Sequence, residues 1–94
     1  MSGKKSISIK DLLDLDLLNS DKPLTWKRRS EGLTFTAIVK SNGFIQTADG
    51  VIHKSPSGAA RHLNGGKPID GWLAWRVEET GETLAELRER SIHK

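Results

Sequence analysis

Between Leu33 and Thr47 the chain alternates outward and inward residues, breaks at Asn42-Gly43, and then resumes. Leu33, Phe35, Ala37 and Val39 fall on one side, and Thr34, Thr36, Ile38 and Lys40 on the other. A period of two belongs to a strand, and Asn-Gly at its end is the strongest short hairpin signal. The expectation is a two-residue turn with positive φ at both Asn42 and Gly43. An isolated hairpin is marginal in water, so further strands or a covering helix must complete it. The flanking sequence supplies both. Leu24 to Arg28 is a strand candidate with Leu24, Trp26 and Arg28 on one face. Ser30-Glu31-Gly32 reads as the turn that follows. Asp49-Gly50 turns the chain again into Val51-Ile52-His53, and Trp72 to Val77 reads as a last strand.

Three helices frame this meander. Ser8 and Asp11 form a capping box, followed by Ile9, Leu12, Leu13 and Leu17 at helical spacing, with a stop expected near Asn19. Ser55 reads as an N-cap with Pro56 at the first helical position, and Gly65-Gly66 ends that helix. Its Ala59, Ala60 and Leu63 face inward; Ser57, Gly58, Arg61 and His62 face out. Thr83 and Glu86 form a second capping box, with Leu84 and Leu87 inward. The expected fold class is α+β: an antiparallel sheet of four or five strands, a short N-terminal helix, a short crossing helix and a C-terminal helix. The expected core is Leu12, Leu13, Leu17, Leu24, Phe35, Ala37, Val39, Ile45, Ala60, Leu63, Trp75, Leu84 and Leu87. Residues 1–6 read as a flexible tail, 7–91 as one domain and 92–94 as a loose end.

Ninety-four residues without a cysteine make one modest core and no disulfide scaffold. That suits the reducing cytoplasm. No apolar run is long enough for a membrane span, and no secretory signal stands at the N-terminus. Charge is unevenly placed. Residues 22–76 hold nine basic residues against Glu31, Asp49 and Asp70, a net of +6, while both flanks are acidic. A basic centre between acidic ends is a plausible footprint for a polyanion, and equally a surface whose loops happen to be basic.

Catalytic signatures are missing. There is no nucleophile elbow, phosphate loop, HExxH or cysteine nucleophile, and His53, His62 and His93 are scattered. No metal, cofactor or enzymatic activity is expected. Two features point to binding. The helix start at Ser55-Pro56-Ser57, with Lys54 and Arg61 near it, favours an anion, although an ordinary capped helix reads the same way. Trp26 beside Lys27-Arg28-Arg29 places an indole among basic residues, as in proteins that stack bases and hold phosphates. Core packing is the plainer role for such a tryptophan. Trp75 is expected inside, and Trp72 under the short helix or at the surface.

The order Ile9-Lys10-Asp11-Leu12-Leu13 with Leu17-Leu18, the Asn42-Gly43 turn, Ser55-Pro56-Ser57-Gly58-Ala59-Ala60, Gly71-Trp72-x-x-Trp75 and Leu84-x-x-Leu87-Arg88 resembles the RAMA domain (restriction enzyme adenine methylase associated) over residues 7–91. The resemblance implies a small α+β module of restriction-modification systems, appended to methyltransferases or nucleases, that reads DNA and possibly modified DNA. In the family a Gly precedes the first paired leucines and a Pro-Gly follows them. This chain carries Asp16 and Ser20-Asp21 there. The expected function is a non-catalytic DNA-binding module with duplex DNA, methylated or not, as partner. Trp26, Lys27, Arg28, Arg29, Lys54, Ser55, Ser57, Arg61, Lys67, Trp72 and Arg76 are the candidate contacts. The alternative is a domain that docks a partner methyltransferase or nuclease through an apolar surface.

Overall fold

A computed structural model describes residues 7–28 and 31–92. Arg29, Ser30 and His93 lie outside the described residues. The elements run α1 (Ile9–Asp14), β1 (Pro23–Arg28), β2 (Leu33–Val39), β3 (Ile45–Thr47), β4 (Ile52–His53), α2 (Pro56–Leu63), α3 (Gly71–Ala74), β5 (Arg76–Val77) and α4 (Leu84–Ile92). The fold is α+β. Its five strands form one antiparallel sheet in the order β4-β3-β2-β1-β5.

The expected alternation holds in β1 and β2. Leu24, Trp26, Ala37, Val39 and Ile45 are buried on one face, which the helices cover, and Phe35 is half-buried there. Lys27, Thr34, Thr36 and Ile38 are exposed on the other. Ile9 and Leu12 from α1, Ala59 and Ala60 from α2, and Leu84 and Leu87 from α4 close the core around the fully buried Trp75. Leu13, Leu17 and Leu63, expected inside, are half-buried at the edge of this cluster.

Three local expectations need correction. Helix α1 ends at Asp14 and not near Asn19, because Asp16 takes a left-handed φ of 60° and turns the chain. Leu17 and Leu18 both donate their amides to Leu12 O, and Leu18 becomes the buried leucine. Asp21 is left-handed too, with φ 65°. These two aspartates stand where the resemblance expects glycine. They keep the glycine-like backbone, which Asp tolerates better than most residues.

The β2–β3 turn has three residues rather than two. Val39 pairs with Ile45, Lys40 and Phe44 close the hairpin, and Gly43 N donates to Lys40 O. Only Gly43 has positive φ, at 90°. Asn42 instead accepts the Phe44 amide on its side chain at 3.0 Å. This is a type I turn followed by a left-handed glycine.

Trp72 to Ala74 is not strand. Asp70 caps a one-turn helix by accepting from Trp72 N at 3.0 Å, and only Arg76–Val77 pairs with β1. The strand-like composition was overridden by the seating of Gly71. A Cβ there would lie 2.1 Å from Pro56 O, so the α3 backbone rests directly on the start of α2.

Candidate nucleic-acid interface

Helix α2 organises the candidate residues, and its two ends differ. At its start Ser55 Oγ accepts from Gly58 N at 3.0 Å, an N-cap as expected. Ser57 Oγ accepts from Gly71 N at 3.0 Å, and Trp75 Nε1 donates to Pro56 O at 3.1 Å. Both serines thus bind the protein's own amides. Ser57 turns toward α3, not outward with Arg61 as its helical position suggested. Ser55, Ser57 and Arg61 still line one hollow of about 330 Å³ with Gly58, Pro68 and Ile69. Lys54 precedes it, exposed.

At the other end the chain leaves α2 through Asn64-Gly65-Gly66-Lys67. Gly65 and Gly66 have φ of 67° and 85° and are exposed. Two guanidiniums from separate segments are fixed to this loop, which itself carries Lys67. Arg28 Nη1, from the end of β1, donates to Asn64 Oδ1 at 2.8 Å. Arg61 Nε donates to Gly66 O at 2.9 Å. Lys67 belongs to the loop itself, and its carbonyl accepts from Asn64 Nδ2 at 3.3 Å. Arg28 also pairs with Glu31 at 3.0 Å and sits 5.3 Å from the Trp26 ring centroid. The result is a glycine surface with a guanidinium-rich border, fixed by hydrogen bonds to the loop.

The Lys27-Arg28 run is split by the strand period. Arg28 faces the α2 end, while Lys27 stands on the helix-free face opposite Thr34. Lys27 shares a second hollow, of about 600 Å³, with Thr25, Trp26, Leu73, Ala74, Arg76, Val77 and Glu78. Arg76 Nη1 donates to Gly81 O at 2.8 Å, and its charge helps hold the Glu86 carboxyl below the usual range, behind the hydrogen bond from Thr83 N. Trp26 is only 7% exposed, and its ring is taken up by Phe35, Trp75 and Arg28. Trp72 is half-buried under Arg88, whose guanidinium lies 4.6 Å from the ring centroid. The candidates therefore form separate groups: Arg28, Arg61 and Lys67 at the loop, Trp26, Lys27 and Arg76 beside β1, and Trp72 under α4.

One cluster escaped the sequence reading. His53 and His62, read as scattered, have ring centroids 4.8 Å apart. His62 Nε2 meets Asp49 Oδ2 at 2.7 Å. Thr47 Oγ1 contacts both Asp49 and His53 Nε2, the latter at 3.4 Å. Hydrogen bonds from Thr47 and then His62 hold the Asp49 carboxyl well below the usual carboxylate range. Burial, followed by the charge of His62, pushes His53 below the ordinary imidazole value. The Asp49-Gly50 turn could have revealed that Thr47 and His53 share a face. The approach of His62 depends on how α2 docks.

Among the described residues no group of three His, Cys, Asp or Glu side chains is placed to hold a metal ion, and no helix is long and apolar enough to cross a membrane.

A one-sided antiparallel sheet crossed by a short Ser-Pro-capped helix, with a tryptophan hydrogen-bonded to that helix's first residue, defines a small α+β module of the kind the sequence resembles. The model of the family "RAMA: Restriction Enzyme Adenine Methylase Associated" matches residues 2–94, and the chain belongs to that family. No curated protein matches it. The family name links the chain to restriction-modification systems.

Proposed function

We propose that this chain is a non-catalytic, cytoplasmic DNA-binding module of a restriction-modification system, which receives duplex DNA at the Asn64–Lys67 loop. The observation that carries this reading is that Arg28 and Arg61 are fixed by hydrogen bonds to the exposed loop of Gly65, Gly66 and Lys67. Phosphates are held by cations and backbone amides, and glycine permits a close approach of backbone to ligand. A Cβ at either glycine would meet nothing within 4 Å, so the loop surface is open. The hollow lined by Ser55, Ser57 and the same Arg61 continues toward the start of α2, and Lys54 just before it is exposed. The buried Trp26 and the covered Trp72 argue against stacking of splayed bases, which favours a duplex over a single strand.

NMR titration with matched methylated and unmethylated duplexes tests this. The amides of residues 64–67 and the side-chain signals of Arg28 and Arg61 should shift most. A larger response to the methylated duplex would extend the reading to modified DNA. Shifts confined to α4, or none with either duplex, would contradict it.

A second reading, docking of a partner methyltransferase or nuclease domain, is favoured by Leu73, which is 62% exposed in the hollow beside β1. It predicts an association that survives high salt, whereas phosphate contacts weaken steeply.

A further inference from the structure

Thr47, Asp49, His53 and His62 form a chain of polar contacts that the DNA-binding reading leaves unused. They come from β3, the β3–β4 turn, β4 and α2. The charged group in contact with this pair of imidazoles is Asp49 on the turn, through His62. His53 adjoins Lys54 in the chain, and His62 adjoins Arg61 and lies two residues before Asn64. A change of charge in the cluster therefore falls on residues next in the chain to two of the cations assigned to phosphate.

We infer that this cluster makes DNA affinity proton-dependent, tightening binding as pH falls through the imidazole range. The inference rests on the DNA-binding reading above. With both rings neutral the cluster carries only the negative charge of Asp49. One proton, shared in the 2.7 Å contact between His62 and Asp49, cancels that charge. A second, on His53, makes the cluster cationic. His53 takes its proton less readily than an ordinary imidazole, because it is partly buried and its ring lies against His62. His62 stands two residues before Asn64, near the end of the helix that carries Arg61.

The test measures the affinity of the full chain for a short labelled duplex at constant ionic strength, from about pH 7.5 to about pH 5.5, spanning the ordinary imidazole value near 6.5. The parent should tighten roughly tenfold across that range, with a salt slope steeper by about one to two phosphate contacts. The double variant His53→Gln with His62→Gln should lose most of this. It retains His93, so that residue cancels in the comparison. Asp49→Asn should bind several-fold tighter than the parent already at the upper pH, and it serves as the deciding variant should the double substitution unfold. Equal pH dependence in parent and double variant, or unchanged affinity in Asp49→Asn, overturns the inference. If the parent binds duplex with a flat pH profile, only this inference falls. If it binds no duplex at any pH, the DNA-binding reading falls with it.

Discussion

The two ends of helix α2 look alike in sequence: Ser-Pro-Ser-Gly opens it and Asn-Gly-Gly closes it. The structure uses them in opposite ways. The start is fastened to α3 and the core by Ser57, Gly71, Pro56 and Trp75. The end is an open loop bordered by cations, whose glycines have a left-handed backbone and where an added Cβ would meet nothing within 4 Å. Glycine at the Gly71 contact provides closeness, and glycine after the helix provides conformation. A short helix can thus be rigid at one end and offer a surface at the other.

Gly71→Ala attacks the fastened end and should have the largest effect. The new Cβ overlaps the Pro56 backbone, so either α2 or α3 must move. A loss of several kcal/mol is expected, as for other overpacked core sites. Thermal unfolding checks it, at about 4–8 °C of Tm per kcal/mol for a domain of this size. An unchanged Tm would mean that the contact is not tight. Ser57→Ala removes the acceptor for Gly71 N and should cost about 1–2 kcal/mol. If it instead weakens DNA binding with no loss of stability, Ser57 belongs to the interface. Gly66→Ala attacks the open end. The left-handed φ makes it cost about 1 kcal/mol, with no clash to add. Its DNA affinity should fall further than that of Ser57→Ala at matched folding, which would separate the two ends by function.

The smallest effect concerns the clasp between α2 and the β3–β4 hairpin. The Asp49 carboxyl is held below its unfolded-state value. Its contribution to stability is therefore complete above the ordinary carboxylate range and is lost as pH falls through and below about 4. His53, also depressed, adds a loss that sets in as pH falls below about 6.5, since only the unfolded chain then takes the proton readily. Asp49→Asn should flatten the lower part of a plot of stability against pH, and His53→Gln the upper part. Profiles parallel to that of the parent would contradict both assignments.

What could be read from sequence follows from how local each cause is. The capping boxes at Ser8 and Thr83, and the Ser55 N-cap with Pro56, depend on residues three apart or fewer, and all formed as expected. The Asn42-Gly43 turn was recognised, but its length was set by the Val39–Ile45 pairing, which no dipeptide specifies. Trp72-Leu73-Ala74 has strand-like composition and becomes helix because Gly71 seats on Pro56, fifteen positions earlier. For the candidate site the residue types were legible and the grouping was not. Arg28 reaches Asn64 across 36 positions, and His62 reaches Asp49 across 13. Trp26 suggested a base platform by its basic neighbours, but its position on the inner face of β1 makes it core.

The most direct test is the salt dependence of duplex binding by the parent and by Lys54→Ala with Arg61→Ala. Neither side chain is buried, so the fold should survive. If the α2 side holds phosphate, the double variant should bind on the order of tenfold more weakly at 0.1 M salt, and its log–log salt slope should fall by about two phosphate contacts. Identical affinity and slope in the two proteins would remove the DNA from this helix and from the Asn64–Lys67 loop beside it.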